Sequence, residues 1–275
     1  MKELPEEKRL LEILRKTAPF GIAFSGGADS TMLAFFSVKH LGPDAVRLLH
    51  AHTPFCPGEE RVLAENAARE LGVKLHVVTL NLLDNPAIRE NDRMRCYHCK
   101  KFIMGTAFEA LRSMGISTLC DGANTDDLSD WRPGMKAADE LGVRHPFLEA
   151  GLGKRRIRLL ARRLGIGNWM LPASACMASR IPCGTPLEKT VLDRAKDAEK
   201  ILRERLGFRG VRVRCLENGE TARIEVRPID LRRLFRREAE VTGLLTDLGF
   251  RKVESDPSGY RRGAMNRTEP PQKPE

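Results

Sequence analysis

Between Phe20 and His40 the chain passes from a five-residue apolar run, Phe20-Gly21-Ile22-Ala23-Phe24, through Ser25-Gly26-Gly27-Ala28-Asp29-Ser30 into a helix-like stretch from Thr31 to His40. A short apolar strand that turns into a helix over two glycines belongs in a sheet covered by helices, because both of its faces must be buried. Gly26 and Gly27 let the backbone take conformations closed to other residues and leave space beside it, while Ser25 and Ser30 add hydroxyl donors. A helix N-terminus at the same point favours negative charge, so the junction predicts an anion site, a phosphate above all. No lysine follows the glycines and the Walker spacing is absent.

The same alternation continues on either side. A helix over about Glu6 to Lys16 precedes the first strand, and the helix after the glycines stops at Leu41-Gly42-Pro43. A second strand, Ala45 to Ala51, runs into His52-Thr53-Pro54; helix Glu59 to Leu71 stops at Gly72 and feeds strand Lys74 to Leu80. A loop holding Cys96-Tyr97-His98-Cys99 leads to helix Lys100 to Met114, whose Phe102, Ile103, Ala107, Phe108 and Leu111 lie largely on one face. Strand Ser117 to Cys120 then delivers Asp121-Gly122-Ala123-Asn124-Thr125-Asp126-Asp127. This order predicts an α/β fold with a doubly wound parallel sheet, in which Thr53, His52 and Gly122 stand at strand ends beside the glycine loop.

Trp131-Arg132-Pro133-Gly134 predicts a turn, followed by a helix from Met135 to Leu141 and a basic helix from Lys154 to Leu164. The stretch Gly165 to Pro186 is rich in loop residues, which places a domain boundary near 170. Beyond it come a helix from Leu187 to Leu206, a hairpin of Val211–Leu216 and Thr221–Val226 turning at Asn218-Gly219, helices over 230–248 and a strand near Arg251 to Glu254. The expected organisation is therefore 1–170, an α+β domain at 171–262, and a disordered polar tail at 263–275.

Composition narrows the function. The 275 residues carry no apolar run of membrane-spanning length and no secretory leader at Met1-Lys2-Glu3-Leu4-Pro5, so no membrane partner and a cytoplasmic address are expected. Seven cysteines without such a leader argue for thiols or metal ligands over disulfides. A net charge of +10 keeps nucleic acid among the possible partners, but only 5% of residues are aromatic, too few for base-stacking platforms. Cys96-X-X-Cys99 has no second such pair, which excludes a four-cysteine zinc site; a redox pair, two unligated loop thiols, and two legs of an iron–sulfur cluster completed by a remote cysteine remain. Cys176, beside Arg180 in a loop of small residues, is the remote candidate, with Cys183 close behind. Cys56, Cys120 and Cys215 read as small buried hydrophobes.

The Ser-Gly-Gly-X-Asp-Ser hexapeptide resembles the PP-loop of adenine nucleotide α-hydrolase folds, the ATP pyrophosphatases. Together with Arg95-Cys96-Tyr97-X-Cys99-Lys100-Lys101, Asp121-Gly122-X-Asn124-X-Asp126-Asp127, Asp130-X-Arg132-Pro133-Gly134, Ala175-Cys176-Met177-Ala178-Ser179-Arg180-Ile181-Pro182 and Gly259-Tyr260-Arg261-Arg262-Gly263-Ala264-Met265-Asn266, it resembles the LarE-type family over about residues 5 to 266. These are ATP-dependent pyridinium-3,5-bisthiocarboxylic acid mononucleotide synthases, which build the pincer ligand of a nickel cofactor. The resemblance implies ATP with Mg2+ on Ser25, Gly26, Gly27, Asp29 and Ser30, an acyl-adenylate, and replacement of AMP by sulfur.

Two sulfur sources occur in the family. Cys176 gives up its own sulfur, or Cys96, Cys99 and Cys176 hold a 4Fe-4S cluster that carries an extra sulfide; the presence of Cys96 and Cys99 favours the second, with a sulfide or sulfur donor as a further partner. By resemblance Arg212, Arg214 and Arg180 bind the substrate phosphate, and Glu199, Glu225 and Asp230 line the same site as candidate ligands of a divalent ion. The family also implies a homo-oligomer and no nucleic-acid partner. A tRNA thiolase and a non-catalytic nucleotide-binding sulfur carrier are the rivals. The first lacks an RNA-binding module here, and the second has no need of an intact Ser25, Asp29 and Ser30.

Overall fold

The computed structural model describes residues 5–129, 133–167 and 175–260. Residues Trp131 and Arg132 of the expected turn, the part of the loop around Pro172, and the tail from 263 lie outside them. The described residues fall into two compact units, one within Met1–Asn81 and Cys96–Ser174, the other within Leu82–Arg95 and Ala175–Glu275. No helix among the described residues is long and apolar enough to cross a membrane.

The first unit begins with α1 (Pro5–Thr17), β1 (Phe20–Ala23), α2 (Ala28–Leu41), β2 (Val46–His52), α3 (Glu60–Leu71) and β3 (Leu75–Thr79). Its four strands, completed by β4 (Leu119–Cys120), are all parallel in the order β3-β2-β1-β4. Side chains alternate across this sheet, as the two-residue period requires. Phe20 and Ile22 of β1, with Val46 and Leu48 of β2, enter one core with Leu10, Leu14, Met32, Leu33 and Ile157. Leu49 and Leu119 enter the other core with Met104 and Leu111. Gly21 lies on that second face, where an added Cβ would come within 2.5 Å of a Leu111 methyl. Both faces are thus covered, which is why β1 reads as an unbroken apolar run rather than an alternating one.

Leu82–Arg95, containing the short helix α4 (Pro86–Arg89), belongs to the second unit; α5 (Arg95–Arg112) then returns the chain to the first. After β4 follow α6 (Pro133–Glu140), α7 (Pro146–Glu149) and the basic helix α8 (Lys154–Arg163), which buries Ile157, Leu160 and Ala161. The second unit continues with α9 (Lys189–Glu204), β5 (Arg212–Leu216), β6 (Thr221–Glu225), α10 (Leu231–Arg236), α11 (Glu238–Asp247) and β7 (Lys252–Ser255). β5 and β6 pair antiparallel and β7 joins β6 in parallel. The hairpin turn holds Glu217, Asn218 and Gly219 at φ 50°, 55° and 92°, the left-handed region that Asn and Gly tolerate best.

Candidate active site

In the first unit the glycine loop is fixed before it starts. Phe24 donates its N–H to the Leu49 carbonyl at 2.7 Å, and its own carbonyl lies 2.9 Å from His50 Nδ1. Burial lowers the pKa of His50, so the ring is neutral at pH 7 and Nδ1 carries the proton that bonds Phe24. Gly26 follows at φ 73°, where a Cβ would stand 2.6 Å from the Ala64 backbone nitrogen of α3. Only glycine meets both conditions.

α2 starts at Ala28, three residues before the expected Thr31, so Asp29 and Ser30 stand in its first turn. There, N–H groups lack intrahelical acceptors and the helix dipole favours an anion. Gly27 caps the helix without a side-chain hydrogen bond; the Ser25 and Ser30 hydroxyls are 3.2 Å apart, and Ser25 Oγ accepts the Gly27 N–H at 3.2 Å. Gly122, just past β4, reaches the same turn, and a Cβ there would lie 3.0 Å from the Ser30 nitrogen. Asn124 Nδ2 donates to Asp29 Oδ2 at 3.3 Å. Burial raises the pKa of Asp29 against the opposing charge of Lys154, and Asp127 and Asp126 push it further up. Lys154 Nζ bonds Asp127 Oδ1 at 3.2 Å, and Asp126 accepts the first N–H of α8. At the end of β2, Thr53 is buried and its Oγ1 accepts the Phe55 N–H at 3.1 Å. His50 Nε2 and His52 Nδ1 are buried without a hydrogen-bond partner among the described residues.

One cluster in this unit carries no sequence signature. His145 is buried between Asp121 (Nδ1 to Oδ1, 2.7 Å) and Asp139 (Nε2 to Oδ1, 3.0 Å), and Lys100 Nζ donates to Asp121 Oδ2 at 3.2 Å. Burial works against charge on both groups, but Lys100 and His145 hold Asp121 well below the usual carboxylate range. The two carboxylates, overcoming burial, raise the pKa of His145. The chain of bonds ties the first turns of α5 to the strand end that carries Gly122. Cys96 and Cys99 also occupy the start of α5, not the loop expected from sequence: Cys96 is exposed and Cys99 half-buried. A helix N-terminus made of Arg, Cys, Tyr and His has no apolar period to announce it, and its lead-in, Asp92 accepting the Met94 N–H at 2.8 Å, is purely local.

In the second unit Cys176 is exposed and precedes a single helical turn, Met177–Arg180. Arg180 is buried and pairs bidentately with Glu199, at 2.6 Å and 3.0 Å, while its Nη1 donates to the carbonyls of Ala175 (3.1 Å) and Cys176 (3.3 Å). Arg214 pairs in the same way with Glu225, at 3.0 Å and 2.7 Å, and donates to the Ser179 carbonyl at 2.6 Å. Two buried ion pairs therefore grip the backbone of the Cys176 turn. Glu199 Oε1 also accepts the Val213 N–H at 3.1 Å.

Arg212 differs: its guanidinium lies 5.4 Å from the Tyr260 ring centroid, and Nε is buried without a hydrogen-bond partner among the described residues. Burial first, then Arg180, lowers its pKa. It is the cation of the three with most to gain from an anion. Asp230 is held by Arg227 at 2.8 Å and Arg233 at 3.2 Å. With their oxygens taken by guanidinium groups, Glu199, Glu225 and Asp230 do not fit the divalent-ion role expected of them. Among the described residues no three His, Cys, Asp or Glu groups gather at metal-binding spacing.

No family model matches the chain. An uncharacterized protein of Synechocystis sp. is 36% identical over 248 residues, 90% of this chain and 91% of that protein. The pyridinium-3,5-bisthiocarboxylic acid mononucleotide synthase of Lactiplantibacillus plantarum is 35% identical over 259 residues, 94% of this chain and 93% of the synthase. The chain belongs to the pyridinium-3,5-bisthiocarboxylic acid mononucleotide synthase family. A more distant relative, an uncharacterized protein of Methanocaldococcus jannaschii, is 27% identical over 253 residues.

The match with the synthase spans both units, and the residues read from the synthase motifs divide between them. Ser25, Gly26, Gly27, Asp29, Ser30, Thr53, Gly122, Cys96 and Cys99 lie in the first, and Cys176, Arg180, Arg212, Arg214, Glu199, Glu225 and Asp230 in the second. Within the first, the structure sets Gly122 against Asp29 and Ser30 in the first turn of α2, with Gly26 packed against α3 just before it. Within the second, it joins Arg180, Glu199 and Arg214 around the backbone of Cys176. Sequence reasoning missed His145 and Asp139, whose only signal is a polar residue placed against a strand end.

Proposed function

We propose that this protein converts the carboxylates of pyridinium-3,5-biscarboxylic acid mononucleotide to thiocarboxylates at the expense of ATP, for a nickel-pincer cofactor. The observation that carries the reading is the 35% identity to a synthase of that product over 94% of the chain. The glycine loop supports the first half-reaction: the first turn of α2, Ser25 and Ser30 bind the phosphates, and Lys154 adds positive charge where the pyrophosphate forms. Asp29, crowded by Asp126 and Asp127, is the group best relieved by the Mg2+ that accompanies ATP. Thr53 and Gly122 border the nucleotide, and Arg212 is the leading contact for the substrate phosphate. Adenylylation turns a carboxylate, which repels a thiolate and lacks a leaving group, into an acyl phosphate that sulfur attacks with loss of AMP.

Cys176 stands at the second half-reaction, exposed at the head of a turn held by Arg180 and Arg214. Cys96, Cys99 and Cys176 are the thiols that would hold a 4Fe-4S cluster, which when bound would supply a sulfide for transfer. Two cysteines at i, i+3 spacing, Cys96 exposed and Cys99 half-buried, favour this source over sacrifice of Cys176 itself. The test is to incubate the protein with ATP, Mg2+ and the pyridinium dicarboxylate and to assay pyrophosphate and thiocarboxylate. Product on tRNA but not on the mononucleotide sinks the reading.

A further inference from the structure

The segment Leu82–Arg95 leaves the first unit only to lie against the loop that follows Cys176 in the second, and one residue makes most of the contact. Asn91 is fully buried and sits at φ 58°. Its Nδ2 donates to the carbonyls of Pro182 (2.8 Å) and Thr185 (2.9 Å), saturating both protons, and its own carbonyl accepts the Gly184 N–H at 2.9 Å. Its Oδ1 accepts from Arg95 Nη1, which also donates to the Ala178 carbonyl at 3.3 Å. A fifth tie runs from the Leu187 N–H to the Arg89 carbonyl at 2.8 Å.

The loop 177–187 contributes only one short helical turn of its own. Polar backbone buried in such a loop must find outside partners, and here the segment 89–95 provides them on one side while Arg180 and Arg214 provide them on the other. From this geometry we infer that Asn91 is a positioning residue for sulfur transfer: it clamps the loop from Ala178 to Thr185 and so fixes the backbone that presents Cys176. The inference rests on the sulfur-transfer reading above and adds a residue to it. Asn91 is suited to the task because it tolerates the left-handed conformation and carries both a double donor and an acceptor on a short side chain. The hydrogen bonds named here go to none of the residues read as nucleotide-binding, so the clamp is assigned to the second half-reaction.

Asn91→Gly keeps the backbone conformation and removes the side-chain bonds. In the full-length protein, as purified without oxygen, amide hydrogen exchange over 175–187 is expected to quicken by about tenfold relative to wild type, with the α9 amides unchanged. ATP–pyrophosphate exchange in the presence of the pyridinium dicarboxylate is expected to stay within about twofold of wild type, while kcat for thiocarboxylate formation falls by about tenfold at unchanged KM for ATP. Asn91→Asp keeps the acceptor for Arg95 but faces two carbonyls with a carboxylate, and is expected to show the same split. Wild-type exchange over 175–187, a wild-type rate of thiocarboxylate formation, or a proportional loss of both half-reactions would overturn the inference. Should wild type itself form no thiocarboxylate, the functional reading falls, and the exchange data still decide whether the clamp exists.

Discussion

At Gly26 conformation and space make the same demand, and the demand is testable. Gly26→Ala places a Cβ at a positive φ and 2.6 Å from the α3 backbone, so it is expected to lower stability by about 1–3 kcal/mol and to abolish ATP–pyrophosphate exchange. Chemical denaturation and the exchange assay together check it. Glu60, in the first turn of the same α3, is buried enough for its pKa to rise from the usual 4.5 to about 7. The folded protein therefore holds that proton more tightly than the unfolded chain, and Glu60 costs stability progressively as pH rises from 4.5 to about 7. Glu60→Gln is expected to raise Tm at pH 8 and to change it little at pH 4; an equal shift at both values would refute the assignment. The two substitutions separate a steric cause from an electrostatic one, at the glycine loop and in the helix packed against it.

Among the elements, the Met177–Arg180 turn depends on ion pairs rather than on its own hydrogen bonds. Glu199→Gln leaves the Arg180 guanidinium buried without its counter-charge, and removing one partner of such a pair costs about 3–5 kcal/mol. Joint replacement, Arg180→Met with Glu199→Leu, is expected to recover part of that loss in urea unfolding while sulfur transfer stays abolished. The core strands and helices of both units were legible in the sequence because apolar period and glycine stops are local signals. The start of α5 was not, since Arg95 to Cys99 offer neither. Nor was the engagement of Glu199 and Glu225: a partner 19 or 11 residues away on another element leaves no trace in spacing. The strand-to-helix turn at the glycine loop was legible because its residues are contiguous, although α2 starts at Ala28 and not at Thr31, whereas the environments of His145 and Asn91 are assembled from distant segments and follow only from the fold.

For the whole molecule, the deciding measurement is the source of sulfur. Anaerobic purification is expected to give a brown protein with about four irons per chain, lost in Cys96→Ala, Cys99→Ala and Cys176→Ala alike. A colourless protein whose Cys176 becomes lighter by one hydrogen sulfide after turnover would assign the sulfur to the cysteine itself. The route of the chain bears on how either form is made. Because Leu82–Arg95 belongs with Ala175–Glu275, the polypeptide passes between the two units three times, at 81–82, 95–96 and 174–175. During synthesis the Asn91 amide emerges from the ribosome long before Pro182 and Thr185 exist to receive its protons. The early segment must wait, solvated or chaperoned, until the later one arrives. A gene cut after residue 174 would thus leave Leu82–Arg95 on the opposite fragment from Ala175–Glu275, and the two halves are expected to regain activity when co-expressed but not when made separately and then mixed.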